Sequence, residues 1–405
     1  MQTFLSPEYQ LLISLVKSEI WPGENLRQIA DLQAADWAIL FEQAARQGLL
    51  AIVWDALDKL HSGPGYAERT TRLSVAEHQE MMKLRIRWAL SIKKIESVHD
   101  RQWMVLKELA GIFAESGMRV MVLKGLGLAQ MYPCPAHREC GDLDIFLSCK
   151  PDSYVGRNSF GKRNGFAKGD CFELGNKVIR RMGIPVEYDG TKHSTFYYKG
   201  IPVDNHKNFL NVTTTQVDEN LERELVRILH EQKCETLELG GVSADIPPPD
   251  FQLLFLIRHA ITHFLYSGLV LRHLYDLGIF YAAHNQEIDL LRTEKILRRE
   301  SQYKLYRAFL DVLHIYLGMP EDPQVQRRTA EDTRLAERVL EDIIVNPAGD
   351  KGKAKVEDMW VPKRKVIGAL RLFKFRWKYR LVEKNAFGTR FWRAIGNCFR
   401  NLYNR

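Results

Sequence analysis

The chain of 405 residues lacks a long uninterrupted hydrophobic run. No apolar segment approaches the ~20 residues that an α-helix needs to cross a bilayer. Residues 1–6 have neither the basic start nor the apolar core of a signal peptide. We therefore expect a cytoplasmic protein without a transmembrane segment. The length suits two or three packed units, each able to bury a hydrophobic core.

Cysteine is scarce, and its spacing is irregular. The six cysteines include no Cys-x-x-Cys pair and no zinc-ribbon spacing, and they lie at positions 134, 140, 149, 171, 234 and 398. A disulfide framework and a zinc ribbon are therefore not indicated, and we expect reduced thiols. A metal cluster formed by Cys134, His137 and Cys140 is the alternative.

Glycine and proline are both absent from Tyr66 to Ala110. Because these two residues are the strongest breakers of regular structure, their absence predicts one long helix here, or two helices that meet near residues 98–100. Apolar residues also recur at helical spacing earlier in the chain, which predicts further helices.

Acidic residues are almost absent from the C-terminal tail. Residues 363–405 contain 13 Lys or Arg and one acid, Glu383, and aromatic residues are interspersed among the basic ones. This composition is typical of a helical surface that binds nucleic acid, anionic lipid or an acidic partner. A packed pair of helices whose basic face is merely solvated explains the same composition.

Two short motifs carry the most chemical information. Residues 124–127 (KGLG) follow an apolar run, as expected for a buried strand that enters a turn. Residues 141–146 (GDLDIF) then place two acids one residue apart. Side chains on a strand alternate between its faces, so Asp142 and Asp144 should share one face. Two carboxylates on one edge form a site for a hard divalent cation such as Mg²⁺.

A third acid, Asp204, lies about 60 residues after Asp144 in a second predicted strand, residues 201–206 (IPVDNH). If the two strands are neighbours, the three acids together form a carboxylate site for two metal ions. An acid pair that is simply solvated on an exposed strand is the alternative interpretation.

The segments LKGLGLAQMYPCPAHRECGDLDIF (123–146) and HSTFYYKGIPVDNH (193–206) resemble the nucleotidyltransferase superfamily that includes DNA polymerase beta. In particular, most of the chain resembles a bacterial family labelled uncharacterised nucleotidyltransferase. The resemblance implies that Asp142, Asp144 and Asp204 are catalytic and bind the metal, Mg²⁺ or Mn²⁺. It also implies that Asp204 helps to activate the incoming hydroxyl. The turn with Gly125 and Gly127 would approach the triphosphate.

Four further residues are predicted to bind the nucleotide or its phosphates, and they are Lys124, Arg138, His193 and His206. Lysine supplies a point charge to phosphate oxygens, and the planar fork of arginine matches them. His206 should share a strand face with Asp204 and either orient that acid or accept a proton. Ordinary structural roles are the alternatives at all four positions.

The resemblance and the residue patterns together predict an α+β fold, with a small mixed or antiparallel sheet between helical regions. Residues 1–98 are predicted to form an N-terminal helical region, 99–245 the nucleotidyltransferase-like α/β core, 246–345 a C-terminal helical bundle, and 346–405 a basic, aromatic-rich helical tail. Within the core, alternating and β-branched residues from 170 to 211 predict antiparallel strands.

His259 and His263 are four residues apart on a predicted helix. The zinc-protease signature needs a glutamate directly after the first histidine, and Ala260 occupies that position. The sequence therefore argues against metal binding by these two histidines.

The predicted function is Mg²⁺-dependent transfer of a nucleoside monophosphate from a nucleoside triphosphate, with ATP as the expected donor. The acceptor is unidentified, and a sugar, a small molecule and a protein hydroxyl are the candidates. The alternative is a catalytically inactive module that keeps the fold and binds nucleic acid, an anionic surface or a partner through residues 363–405. Retention of all three acids favours the enzyme.

Overall fold

The chain divides into two compact units. The computed structural model describes residues 5–21, 34–61, 74–149, 171–188, 190, 192–212, 215–320, 328–347 and 374–382. The sheet unit comprises Pro7–Leu256 and Ile279–Asp289, and the helical unit comprises Met1–Ser6, Ile257–Gly278 and Leu290–Arg405. The division into four regions stays a prediction. None of the described helices is both long enough and apolar enough to span a membrane.

A seven-stranded mixed sheet organises the sheet unit. Its strands are β1 (Arg119–Val122), β2 (Leu143–Ser148), β3 (Glu187–Tyr188), β4 (His193–Tyr198), β5 (Ile201–His206), β6 (Glu235–Glu238) and β7 (Ser243–Ile246). The spatial order is β3-β4-β5-β2-β1-β7-β6. Strand β2 runs parallel to β5 and β1 parallel to β7, whereas the other neighbours are antiparallel. The predicted α+β fold is confirmed.

One long helix supports this sheet. The helices of the sheet unit are α1 (Pro7–Ile20), α2 (Ala34–Gln47), α3 (Leu50–His61), α4 (Val75–Glu115), α5 (Leu126–Ala129), α6 (Cys171–Arg181) and α7 (Gln216–Glu231). One long helix or two were predicted for the stretch without glycine or proline, and the structure has the single 41-residue helix α4. Its C-terminal half contributes Leu109 and Phe113 to the same core as Val120 of β1 and Ile145 of β2.

The segment Cys171–Arg181 is a helix, so the prediction of strands throughout residues 170–211 is wrong there. The buried Phe172, Gly175 and Ile179 recur at intervals of three and four, the period of a helix packed on one face. A Cβ atom at Gly175 would lie 2.2 Å from Leu147 Cδ1, so only glycine lets α6 approach β2 this closely. Antiparallel strands do follow, as β3, β4 and β5.

A disulfide joins Cys149, which follows β2, to Cys171 at the start of α6. The expectation of reduced thiols is wrong for this pair. The other cysteines that the structure describes, Cys134, Cys140 and Cys234, are free. A disulfide cross-links the end of the strand that carries Asp144 to the helix packed beneath it.

The helical unit buries part of the basic tail. Helices α8 (Pro249–Tyr266) and α9 (Leu271–His284) each belong partly to both units, and α10 (Leu290–Arg299), α11 (Tyr303–Ile315), α12 (Ala330–Val345) and α13 (Arg376–Val382) follow. The ammonium of Lys378 in α13 forms a buried ion pair with Asp342 and donates to the carbonyl oxygen of Phe264 at 3.0 Å. Residues 376–382 are therefore a packed helix, while most of 363–405 lies outside the described residues.

The loop between α5 and β2 is tied to two helices by His137. Its Nδ1 lies 2.6 Å from Asp55 Oδ2 of α3, and its Nε2 lies 3.1 Å from Glu96 Oε1 of α4. Cys140 Sγ instead accepts a hydrogen bond from Arg138 Nη1 at 2.8 Å. Among the described residues, Cys134, His137 and Cys140 therefore do not form the metal cluster considered above.

The His137 contacts predict a pH-dependent stability. The hydrogen bond to Asp55 raises the pKa of His137 above its usual value, which outweighs the opposite effect of burial, and Glu96 adds to the rise. A raised pKa means that the stabilisation is complete below the unfolded pKa of about 6.5. It is lost as pH rises through the folded pKa. At pH 6, we expect His137→Gln to lower the free energy of unfolding by about 1–2 kcal/mol.

Denaturant titrations between pH 5.5 and 9 would measure this effect. The difference between wild type and His137→Gln should shrink as pH rises, because the neutral imidazole no longer pairs with two carboxylates. The same substitution at the exposed His230 is the control and should give no comparable trend. A difference for His137→Gln that stays constant with pH would contradict the proposed role.

Candidate active site

Asp144 and Asp204 lie side by side on adjacent parallel strands. The register pairs Asp144 of β2 with Asp204 of β5, and Phe146 with His206 two residues further on. Directly paired residues on neighbouring strands point to the same face of the sheet. Asp144 is buried, with 3% of its surface exposed, and the side chain of Asp204 is 13% exposed.

Asp142 completes the group from the residue just before β2. One carboxylate oxygen from each of Asp142, Asp144 and Asp204 can be chosen so that all three lie within 4.8 Å of one another. The structure thus brings together the three acids named from the sequence. An all-oxygen donor set at this separation fits a hard divalent cation such as Mg²⁺.

The turn after β1 places Lys124 against these acids. Gly125 has φ 68° and ψ −107°, a backbone conformation that favours glycine. The backbone N–H of Leu123 donates to the carbonyl oxygen of Asp144 at 3.2 Å, which fixes the turn beside β2. Lys124 Nζ lies 3.0 Å from Asp144 Oδ2, and the lysine side chain is only 15% exposed.

The charges of this pair stabilise each other. Burial alone would raise the pKa of Asp144, but the Lys124 ammonium and a hydrogen bond from His206 hold it well below its usual range. Burial also acts to lower the pKa of Lys124, yet Asp144 and Asp142 raise it above the ordinary value. Asp144 is therefore a carboxylate and Lys124 an ammonium at neutral pH.

The two predicted histidines contact different acids. His206 Nε2 lies 2.9 Å from Asp144 Oδ1, and its Nδ1 lies 3.1 Å from the carbonyl oxygen of Asn208. His206 therefore orients Asp144, whereas the sequence predicted that it would either orient Asp204 or accept a proton. His193 Nε2 lies 3.3 Å from Asp204 Oδ2. The ring centroids of the two histidines are 5.2 Å apart.

His193 is disposed to remain neutral. Burial lowers its pKa below the ordinary value, and the nearby His206 and Lys192 add to the decrease, while Asp204 opposes it. A neutral imidazole beside a carboxylate can accept a proton. His193, Asp204 and His206 also form a second group whose potential ligand atoms lie within 4.8 Å of one another.

A match to a protein-family model agrees with this geometry. The model, described as uncharacterised nucleotidyltransferase, matches residues 33–151 and 168–317. The chain belongs to this nucleotidyltransferase family. No curated protein and no solved structure matches the chain. The matched residues include all strands of the sheet, whereas the basic tail at 363–405 lies outside them.

Two residues of the candidate site were not predicted from the sequence. Lys192 precedes β4. Burial lowers its pKa most, and the charge of Lys124 lowers it further, whereas Asp144 and the other two acids act to raise it. Thr195 Oγ1 donates to Asp204 Oδ1 at 2.6 Å. Lys192 is thus a second lysine whose pKa responds to the charges of the acids, and Thr195 fixes one oxygen of Asp204.

A hairpin signal in the sequence could have revealed Thr195. Strands β4 and β5 are joined by a two-residue turn, Lys199 and Gly200, with φ of 49° and 78°. Positive φ at both residues is typical of the type I′ turn that connects antiparallel strands. Counting back from this turn pairs Thr195 with Asp204 and His193 with His206.

Arg138 and Gly127 are the remaining residues that were predicted to bind nucleotide. Arg138 is buried, contacts Cys140, and is near enough to Lys124 for its charge to oppose the rise in the pKa of Lys124. Gly127 is buried in α5, where an added Cβ atom would lie 3.9 Å from Ile246 Cδ1 of β7. Binding of nucleotide by either residue stays a prediction.

Proposed function

We propose that this nucleotidyltransferase moves a nucleoside monophosphate from a nucleoside triphosphate, with ATP as the expected donor, to an acceptor hydroxyl. The candidates for the acceptor are a sugar, another small molecule and a protein side chain. The observation that carries the proposal is the pairing of Asp144 with Asp204 on adjacent parallel strands, with Asp142 close to both.

Asp142, Asp144 and Asp204 are the residues that would hold Mg²⁺ or Mn²⁺ in this proposal. When bound, such an ion supplies positive charge to the triphosphate and to the attacking oxygen. The donor set supports this choice, because hard divalent cations prefer carboxylate oxygens. His206 fixes the orientation of Asp144 at 2.9 Å, and Thr195 fixes Asp204 at 2.6 Å. Orienting partners of this kind maintain the geometry of metal ligands.

Lys124 and Lys192 are the residues that we propose for binding phosphate. The negative charge of the leaving group grows during phosphoryl transfer, so nearby cations stabilise the transition state. Lys124 is held beside Asp144, and Lys192 is close enough to the acids for their charges to act on its pKa. Arg138 adds a third positive charge in this part of the chain.

Asp204 and His193 are proposed to take up the proton of the acceptor hydroxyl. The acceptor oxygen forms a bond to the α-phosphorus, and the bond from that phosphorus to pyrophosphate breaks. The hydroxyl proton passes to Asp204 or to the neutral imidazole of His193, whose Nε2 lies 3.3 Å from the Asp204 carboxylate. Transfer to a positioned base of this kind contributes about 10²–10⁴-fold to rates.

The proposed nucleotide donor indicates the compartment in which the protein acts. Nucleoside triphosphates are used in the cytoplasm, and we propose that compartment. Disulfides are rare there. Alkylation of free thiols in cell extracts would show whether Cys149 and Cys171 are bonded to each other in the cell. An anionic partner of residues 363–405 stays an expectation.

An assay with labelled nucleotides tests the function. Purified protein with Mg²⁺ or Mn²⁺ is incubated with each α-labelled nucleoside triphosphate, with and without cell extract as the source of acceptor. We expect a labelled product and release of pyrophosphate with at least one nucleotide. Label retained on the protein itself would identify a protein hydroxyl as the acceptor.

The same assay can support the alternative. If no nucleotide is bound or consumed, the proposal of nucleotidyltransferase activity is wrong. A non-catalytic module would then be favoured if the full chain binds heparin or DNA and a variant without residues 359–405 does not.

A further inference from the structure

Three histidines of the helical unit form a cluster that shares no residue with the acidic site. His259 and His263 lie one turn apart on α8, and His273 lies on α9. The ring centroids are 4.4 Å apart for His259 and His263, 5.5 Å for His259 and His273, and 4.6 Å for His263 and His273. One ring nitrogen from each can be chosen so that all three lie within 4.8 Å of one another.

These separations are close to those of a zinc site. Zinc binds imidazole nitrogens at about 2.0–2.1 Å in tetrahedral geometry, which puts the nitrogens about 3.4 Å apart and the ring centres about 5 Å apart. The observed ring centres already lie around that value. Small rotations of the side chains would close the remaining gap between the nitrogen atoms.

The turn between α8 and α9 holds two of the rings in place. Ser267 Oγ lies 2.8 Å from His263 Nδ1 and can accept a hydrogen bond from Nδ1–H, which directs the lone pair of Nε2 away from the serine. The backbone N–H groups of Ser267 and Gly268 both donate to the carbonyl oxygen of His263, at 3.1 Å and 2.8 Å. Oriented histidines with a hydrogen-bonded second nitrogen are typical of metal sites.

His273 is held less firmly by the same turn. Its Nδ1 lies 3.4 Å from the backbone nitrogen of Val270, which is long for a hydrogen bond. Binding of a metal through Nε2 requires the proton on Nδ1, and it would therefore replace this weak contact. The backbone N–H of His273 also donates to the carbonyl oxygen of Val270 at 3.0 Å, so the start of α9 is fixed.

We propose that His259, His263 and His273 bind one Zn²⁺ ion. Imidazole ligands favour zinc and related transition metals, whereas Mg²⁺ prefers oxygen. Ala260 excludes the zinc-protease arrangement in which a glutamate follows the first histidine. The third ligand comes instead from the next helix, so the ion cross-links α8 to α9 and keeps a fourth position for water or another ligand.

Zinc binding is best measured in an Asp204→Asn background. The other two groups of potential ligands that the structure describes both contain Asp204, so this substitution weakens them and leaves the histidine cluster unchanged. Protein treated with a chelator and then dialysed is titrated with Zn²⁺ against a chromophoric chelator in excess Mg²⁺. We expect one tightly bound Zn²⁺ per chain.

Three further substitutions in that background test the assignment. His263→Ala should lower the zinc affinity at least about 100-fold, because it removes a ligand, and His273→Ala should do the same. Ser267→Ala should lower it about 10-fold, because it removes only the orienting hydrogen bond. His284→Ala is the control on the same helix as His273, and it should leave the affinity unchanged.

Two results would contradict zinc binding by the three histidines. Absence of bound zinc in Asp204→Asn, or equal affinity in His263→Ala and His284→Ala, would overturn the histidine site. If His263→Ala does not fold, Ser267→Ala and His263→Gln carry the test, and unchanged zinc binding in both would also overturn it. None of these results depends on nucleotide transfer, so the proposed function is judged separately.

Discussion

Replacing Asp204 by asparagine should reduce nucleotidyl transfer by about 10³-fold or more while the protein stays folded. The substitution removes one of the three carboxylates proposed as metal ligands and also a proposed proton acceptor, and losses of single transition-state contacts alone cost about 10²–10³-fold. Asparagine keeps the shape of the side chain and can still accept the hydrogen bond from Thr195. Initial rates of label transfer, with unfolding followed by circular dichroism, measure both effects.

A matched control is available on the same sheet. Glu238 lies on β6 at the far edge of the sheet and is exposed, so Glu238→Gln removes an acid from the sheet without changing the proposed site. It should retain the wild-type rate. Equal rates for Asp204→Asn and wild type, with both folded, would remove Asp204 from the mechanism. That result would also undermine the metal site, since Asp204 is one of its three oxygen donors.

Replacing Lys124 by methionine should lower the free energy of unfolding by about 3 kcal/mol, because breaking a buried ion pair leaves an uncompensated charge. Among the described residues, Asp144 would keep the contact with His206 at 2.9 Å, and 3% of its surface is exposed. A lowered pKa means that the carboxylate contributes stability above its unfolded pKa, about 3.9. The contribution is lost as pH falls below that value. The difference from wild type should therefore shrink in acid.

Denaturant titrations of a small set of variants test this explanation. Lys83→Met, which breaks an exposed pair with Glu80, should change the free energy of unfolding by about 0–1 kcal/mol. The double variant Lys124→Met/Asp144→Asn should be more stable than Lys124→Met, because the unpaired charge is gone. Mg²⁺ or Mn²⁺ should raise the unfolding temperature of Lys124→Met more than that of wild type. A fully stable Lys124→Met would show that the ion pair contributes little.

Local patterns predicted much of this fold. The absence of glycine and proline identified α4, and the apolar run before Lys124 identified β1. The helix α6 was missed because its short segment was assigned the period of a strand. Its amphipathic face becomes clear only when Leu147 is seen to contact Gly175. Packing on the sheet decides the period here, because local propensity in a segment of 11 residues is weak.

The candidate site was also predicted in part. The three acids were named from two strands, and the structure brings their oxygens together. Orienting Asp204 was one of two predicted roles of His206, and the structure pairs His206 with Asp144 instead. Strand alternation gives the face of a residue but not which neighbouring strand its side chain contacts. Lys192 was missed because a lysine next to a short strand has no local signal of burial.

The sequence by itself determined which residues share a strand face, where the long helix lies, and which carboxylates are candidates for a divalent ion. These features depend on the backbone period and on residues close in the chain. Only the tertiary structure decided that β2 lies beside β5, that Lys124 and His206 both contact Asp144, and that His273 joins His259 and His263. Such contacts join residues far apart in the chain, and they form because strands pair and helices bury their apolar faces together.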